Sequence, residues 1–135
     1  MRTRVGIALA GLIGTIGVCG VASAAKPKPL GSYCAKYDCL QVDKSGKKLS
    51  SFQGRCTAVR HPKFTFSVVF GIPISPNGKF HWNRQNAVNT PNGGTLLKTS
   101  KVTIDGQFVS KREAKGTYQL HKPGCKRVAF DAKLG

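Results

Sequence analysis

The sequence predicts an all-β domain, an antiparallel β-sandwich or small β-barrel, stapled by disulfides and preceded by a cleaved signal peptide. Three observations carry that expectation. Apolar residues repeat with period two in several short runs, the mark of half-buried strands. Clusters of Gly, Asn and Pro separate those runs, and no segment beyond the N-terminal apolar run keeps a 3.6-residue period. Short strands at such spacing fit a sandwich or a small barrel. With 135 residues, 40% of them hydrophobic, the chain holds one modest core, too little for a large enzyme scaffold and too much for disorder.

At the start, Arg2 and Arg4 precede a mostly apolar run from Val5 to Val21, and Ala22-Ser23-Ala24 offers the small residues a signal peptidase needs. The run is shorter than the roughly 20 residues that span a bilayer and is loosened by Gly6, Gly11, Gly14, Gly17 and Gly20. Residues 1–24 therefore read as a signal peptide. Cys19 falls inside it, and Val18 stands where a lipidation signal wants a small residue. Residues 25–31 contain Lys26-Pro27-Lys28-Pro29, whose prolines deny ladder hydrogen bonds, so they read as a linker before a single domain over residues 32–135.

Within that domain the clearest strand alternates Phe64, Phe66, Val68 and Phe70 with Thr65, Ser67 and Val69. Phe80 and Trp82 alternate with Lys79 and His81, Val102 and Ile104 with Thr103 and Asp105. Tyr118 and Leu120 alternate with Thr117 and Gln119, and Val128, Phe130 and Ala132 with Arg127, Ala129 and Asp131. Turns are expected at Ser45-Gly46, Pro76-Asn77-Gly78, Pro91-Asn92-Gly93 and Pro123-Gly124. Asp105-Gly106 is either a turn or a bulge inside a longer strand.

Cys34, Cys39, Cys56 and Cys125 make an even set in an exported chain, which favours two disulfides over a metal site. Three pairings are possible. Tyr37 and Asp38 can turn the chain between Cys34 and Cys39, so these two are expected to pair, leaving Cys56 with Cys125. A zinc site would want a CxxC pair, and the sequence has none.

The order Gly46-Lys47-Lys48-Leu49, a strand closed by Cys56, Ile72-Pro73-Ile74 and then Asn77-Gly78-Lys79-Phe80 carries a resemblance. So does the run from Gly106-Gln107-Phe108-Val109-Ser110 through Ala114-Lys115-Gly116-Thr117-Tyr118 to Gly124-Cys125 and Val128-Ala129-Phe130-Asp131-Ala132. The pattern resembles a group of small secreted β-rich proteins of high-GC Gram-positive bacteria. It implies a fold of strands, turns and one long-range cysteine pair, and it carries over no catalytic residue.

For chemistry, His61, His81 and His121 among many lysines invite a ribonuclease-like reading, with one imidazole as base, another as acid and a Lys on the phosphorane. His81 and His121 take the outward parity of their strands, however, and His61 precedes Pro62 at a strand end. Ser45-Gly46-Lys47-Lys48 matches an SxxK string but sits in a turn without its partner motifs. The acids Asp38, Asp43, Asp105, Glu113 and Asp131 are too scattered to supply a glycosidase pair. No catalytic residue, metal or cofactor is expected.

Charge is the exceptional signal. There are 22 Lys and Arg against 5 Asp and Glu, a formal net charge of +17; losing Arg2 and Arg4 leaves 20 basic residues against the same 5 acids, or +15. Solubility alone needs a net charge of about 2 to 8. Lys111, Arg112 and Lys115 crowd one turn and Lys122, Lys126 and Arg127 the next; if those hairpins are adjacent in one sheet, both clusters share an end. Such a patch attracts phosphate or carboxylate polymers by counterion release. Tyr33, Tyr37 and Trp82 are candidate stacking platforms, although Trp82 shares parity with Phe80 and so belongs to the core. The expectation is a secreted, monomeric, non-enzymatic module for anionic polymers, cell-envelope phosphate polymers or nucleic acid, with no transmembrane segment in the mature chain. A protease inhibitor presenting Lys126 or Arg127 beside Cys125 and a small basic ribonuclease are the rivals.

Overall fold

The computed structural model describes residues 25–69, 71–90 and 95–135, with residues 95–98 described by backbone alone. The expected signal peptide with Cys19, Phe70 and the Pro91-Asn92-Gly93 turn lie outside the described residues. Nine strands follow in order: β1 (Ser32–Cys34), β2 (Cys39–Val42), β3 (Lys48–Arg55), β4 (Thr65–Val68), β5 (Ile72–Pro73), β6 (Lys79–Asn89), β7 (Thr95–Ser110), β8 (Glu113–Leu120) and β9 (Val128–Leu134).

Every pairing is antiparallel. The order runs β2, β1, β9, β8, β7, β6, β4, β3, and β3 returns to β2 as Leu40↔Phe52, which closes the sheet into an eight-stranded barrel. Read in chain order, the ring is an up-and-down meander, so of the sandwich and the barrel the structure takes the barrel. Closure removes every sheet edge. The short β5 continues the β4 wall: β4 pairs Phe52↔Val68 and β5 pairs Leu49↔Ile72 on the same strand β3. Gly71, with φ of 86°, turns the chain into β5.

The interior is filled with side chains, as an eight-stranded barrel allows. Tyr33, Phe52, Phe66, Phe80, Phe108, Tyr118 and Phe130 pack there with centroids 5.1 to 6.5 Å apart, many edge to face. The expected period-two strands bury the expected sides, and Trp82 is core. Asp105-Gly106 lies inside β7, a strand of 16 residues, and is no turn. Gly106 faces Gly116 of β8. A Cβ on Gly106 would lie 2.3 Å from Phe80 Cζ, and one on Gly116 2.1 Å from the Asp105 carbonyl oxygen, so only glycine lets the wall bend this tightly.

A meander has two ends. The entry end carries residues 25–31 and the turns after β2, β5 and β7; the disulfide end carries the loops after β1, β3 and β8 and the last residues of β6. Residues 25–31 are packed on the entry end and are not a free linker: Pro27 is buried, the Lys28 N–H donates to Tyr33 Oη (2.9 Å) and the Leu30 N–H to the Asp43 carbonyl (3.1 Å). Proline sets an extended backbone there, and the barrel mouth supplies the hydrogen bonds that keep it in place.

Both expected disulfides are present, Cys34–Cys39 and Cys56–Cys125. Cys34 and Cys39 face each other across the β1–β2 hairpin. Cys56–Cys125 joins the β3–β4 loop to the β8–β9 loop, which lie four strands apart in either direction round the ring. It crosses the mouth, reinforced by the Lys126 N–H donating to the Cys56 carbonyl at 3.2 Å.

Candidate anion-binding surface

Topology decides how the charges are shared. The β7–β8 turn and the β8–β9 loop lie at opposite ends of β8, whose eight residues span roughly 25 Å at about 3.3 Å each. Lys111, Arg112 and Lys115 are therefore on the entry half, and Lys122, Lys126 and Arg127 at the disulfide end. The two expected clusters do not meet, because successive turns of a meander alternate between ends.

The acids are segregated too. Asp43 lies in the turn after β2, and Asp105 on the entry half of β7 meets His81, Nδ1 to Oδ1 at 2.5 Å. Glu113 on β8 and Asp131 on β9 share Lys133, and Lys115 Nζ stands 3.8 Å from Glu113. A hydrogen bond with Asp131, then Lys133, pulls the Glu113 carboxyl below its ordinary range, while Glu113 pushes Asp131 above its own. Lys115 thus faces acids that screen it.

Asp38 is the fifth acid and the one at the disulfide end. It is 7% exposed and turns inward to accept a hydrogen bond from Tyr118 Oη at 2.5 Å. Facing solvent at that end are Lys36, Arg60, Lys63, Lys126 and Arg127, with Arg55 and Lys122 half-buried among them. Lys122 Nζ lies 4.9 Å from the Phe64 ring centroid and the Arg55 guanidinium 4.6 Å from that of Tyr37, so aromatic faces hold both cations. Tyr33 is fully buried and is no stacking platform; its hydroxyl donates to the Lys111 carbonyl.

Between the β3–β4 loop and the ends of β4 and β6 lies a recess of about 700 Å³, lined by Arg55, Arg60, His61, Lys63, Thr65 and Asn89 among others. No carboxylate lines it. Arg55, Arg60 and Lys63 were not singled out by the sequence reading. The available signal was their position: Arg55 precedes Cys56 and Lys126 follows Cys125, so the expected pairing already joined two basic segments.

The three histidines stay apart. His81 is held by Asp105, His121 Nε2 sits 3.0 Å from Thr103 Oγ1, and His61 stands on the rim of the recess. His81 and His61 line separate recesses, and among the described residues no three His, Cys, Asp or Glu gather to hold a metal ion. Ser45 Oγ donates to Asp43 Oδ1 at 2.6 Å and accepts from the Lys47 N–H, the bonding of a turn. No helix among the described residues is long and apolar enough to cross a membrane. No protein-family model, curated protein or solved structure matches the chain.

Proposed function

We propose that the protein is a secreted, non-enzymatic module that binds anionic polymers through its disulfide end. The observation that carries this reading is the separation of charge. Every exposed carboxylate stands on the entry half, while the disulfide end presents Lys36, Arg60, Lys63, Lys122, Lys126 and Arg127, with Arg60 and Lys63 lining a recess that no acid lines. Like charges on neighbouring loops repel, and a phosphate-bearing polymer relieves that repulsion while releasing its own counterions. Disulfides suit an oxidising compartment, so phosphate polymers of the cell envelope are the natural ligand class.

Lys111, Arg112 and Lys115 play the lesser part in this reading, as they sit on the acid-bearing half. In a salt titration with long-chain polyphosphate, log K falls linearly with log salt. Replacing Lys122, Lys126 and Arg127 by Ala flattens that slope by roughly 2 to 3 units. An unchanged slope overturns the reading. RNA cleavage by the intact protein would favour the ribonuclease, and tight inhibition of a trypsin-like protease the inhibitor.

A further inference from the structure

We infer that Arg55 makes the recess at the disulfide end a subsite for a single phosphoryl group, so that the polymer is gripped at one fixed point and not merely held by diffuse charge. The inference rests on the anion-binding reading of this end. Its own evidence is the way Arg55 is held. Nη1 donates to the Val59 carbonyl at 2.6 Å and to that of Arg60 at 3.4 Å, both in the β3–β4 loop that the Cys56–Cys125 bridge anchors. The guanidinium plane also lies over Tyr37. A side chain that usually loses much rotamer freedom on binding is here ordered beforehand.

What this leaves uncommitted is specific. Nε is covered by the protein, and among the described residues no hydrogen bond occupies Nη2 and no carboxylate lies within 4 Å of the guanidinium to form an ion pair. Asp38, the one acid at this end, already takes the Tyr118 hydroxyl hydrogen bond. With Nη1 occupied and Nε covered, Nη2 is the donor of the guanidinium left for an anion in the recess, and its charge strengthens that hydrogen bond.

The surroundings favour phosphate over carboxylate. Arg60, Lys63 and the Thr65 hydroxyl line the same recess, and His61 stands beside them. A tetrahedral phosphoryl group has oxygens left for these donors after one accepts from Nη2, whereas a planar carboxylate has a single oxygen left. The recess, about 700 Å³ and open to solvent, leaves room for the rest of a polymer to pass on toward Lys122 and Lys126.

The experiment uses the disulfide-bonded protein with tripolyphosphate, inorganic phosphate and polyglutamate as probes. Arg55→Lys keeps the net charge and removes the guanidinium that the loop carbonyls and Tyr37 hold in place. It is expected to weaken tripolyphosphate about tenfold and to leave polyglutamate within about twofold. A second measurement needs no variant: titrating the intact protein with tripolyphosphate shifts the Arg55 guanidinium resonances with one-to-one stoichiometry, and inorganic phosphate competes. A guanidinium that tripolyphosphate leaves unshifted overturns the inference, as does a folded Arg55→Lys protein that binds tripolyphosphate as the parent does. If long-chain polyphosphate still binds in either case, the polymer reading survives; if only tripolyphosphate binds, the subsite stands and the polymer reading falls.

Discussion

Tyr118 ties three segments together beneath the proposed site. Its hydroxyl donates to Asp38 in the β1–β2 turn and accepts the Arg55 N–H at 3.2 Å, at the end of β3. Replacing Tyr118 by Phe strands both partners and is expected to cost about 1 to 3 kcal/mol in a denaturant melt. The Asp38 carboxyl titrates above its ordinary 3.8 because burial outweighs the opposing pull of the Tyr118 hydrogen bond and of Arg55. Its folded pKa exceeds its unfolded one, so the folded state holds the proton longer. Stability is therefore lost as pH rises from the unfolded value of about 3.8 through the higher folded value. Asp43 acts in the opposite sense, because the Ser45 hydroxyl lowers its pKa and its contribution is lost on acidification. Subtracting the stability curve of Asp38→Asn from that of the parent between pH 3 and 8 isolates the first effect. The difference should fall with rising pH; a flat or rising difference would show that Asp38 is not held protonated by burial.

Two elements that are not neighbours in the sheet meet only through the mouth of the barrel. The β3–β4 and β8–β9 loops are joined by Cys56–Cys125, a closure of 69 residues, against 5 for Cys34–Cys39. Chain-entropy arithmetic assigns about 4.4 kcal/mol to the first and about 2 kcal/mol to the second. A Cys56→Ala/Cys125→Ala protein should thus melt well below a Cys34→Ala/Cys39→Ala protein, and the reverse order in calorimetry would refute the ranking. Element by element, strands with two or more alternating apolar residues were legible: β4 from Phe66 and Val68, β6 from Phe80 and Trp82, β8 and β9 likewise. β1, of three residues, is too short for a period to declare itself, and β2 is the exception, since Leu40 and Val42 alternate over the same four-residue length as β4. β1 and β2 exist because a hairpin locked at Cys34 and Cys39 is needed to join β9 to β3 and complete the ring.

At the scale of the whole molecule, charge sorting follows from the meander. A chain that reverses direction at every turn sends successive basic turns to opposite poles, and the acids Asp43, Asp105, Glu113 and Asp131 all fall toward one of them. Replacing Lys111, Arg112 and Lys115 by Ala removes as much charge as replacing Lys122, Lys126 and Arg127. It is expected to flatten the salt slope for polyphosphate by less than about 1 unit. Equal slopes for the two triple variants would show that binding follows net charge and not the disulfide end.

The sequence by itself determined the all-β class, the inward and outward sides of the main strands and the cysteine pairing, because these depend on local alternation and on the spacing of few candidates. It also established the excess of positive charge. Only the tertiary structure decided between sandwich and barrel, since that choice rests on whether β3 returns to β2, a contact no periodicity encodes. The same holds for the site. Which basic residues share a pole depends on how many times the chain has crossed the barrel before reaching them, so Arg55 and Lys126 become neighbours while Lys115 and Lys122, far closer in sequence, are parted.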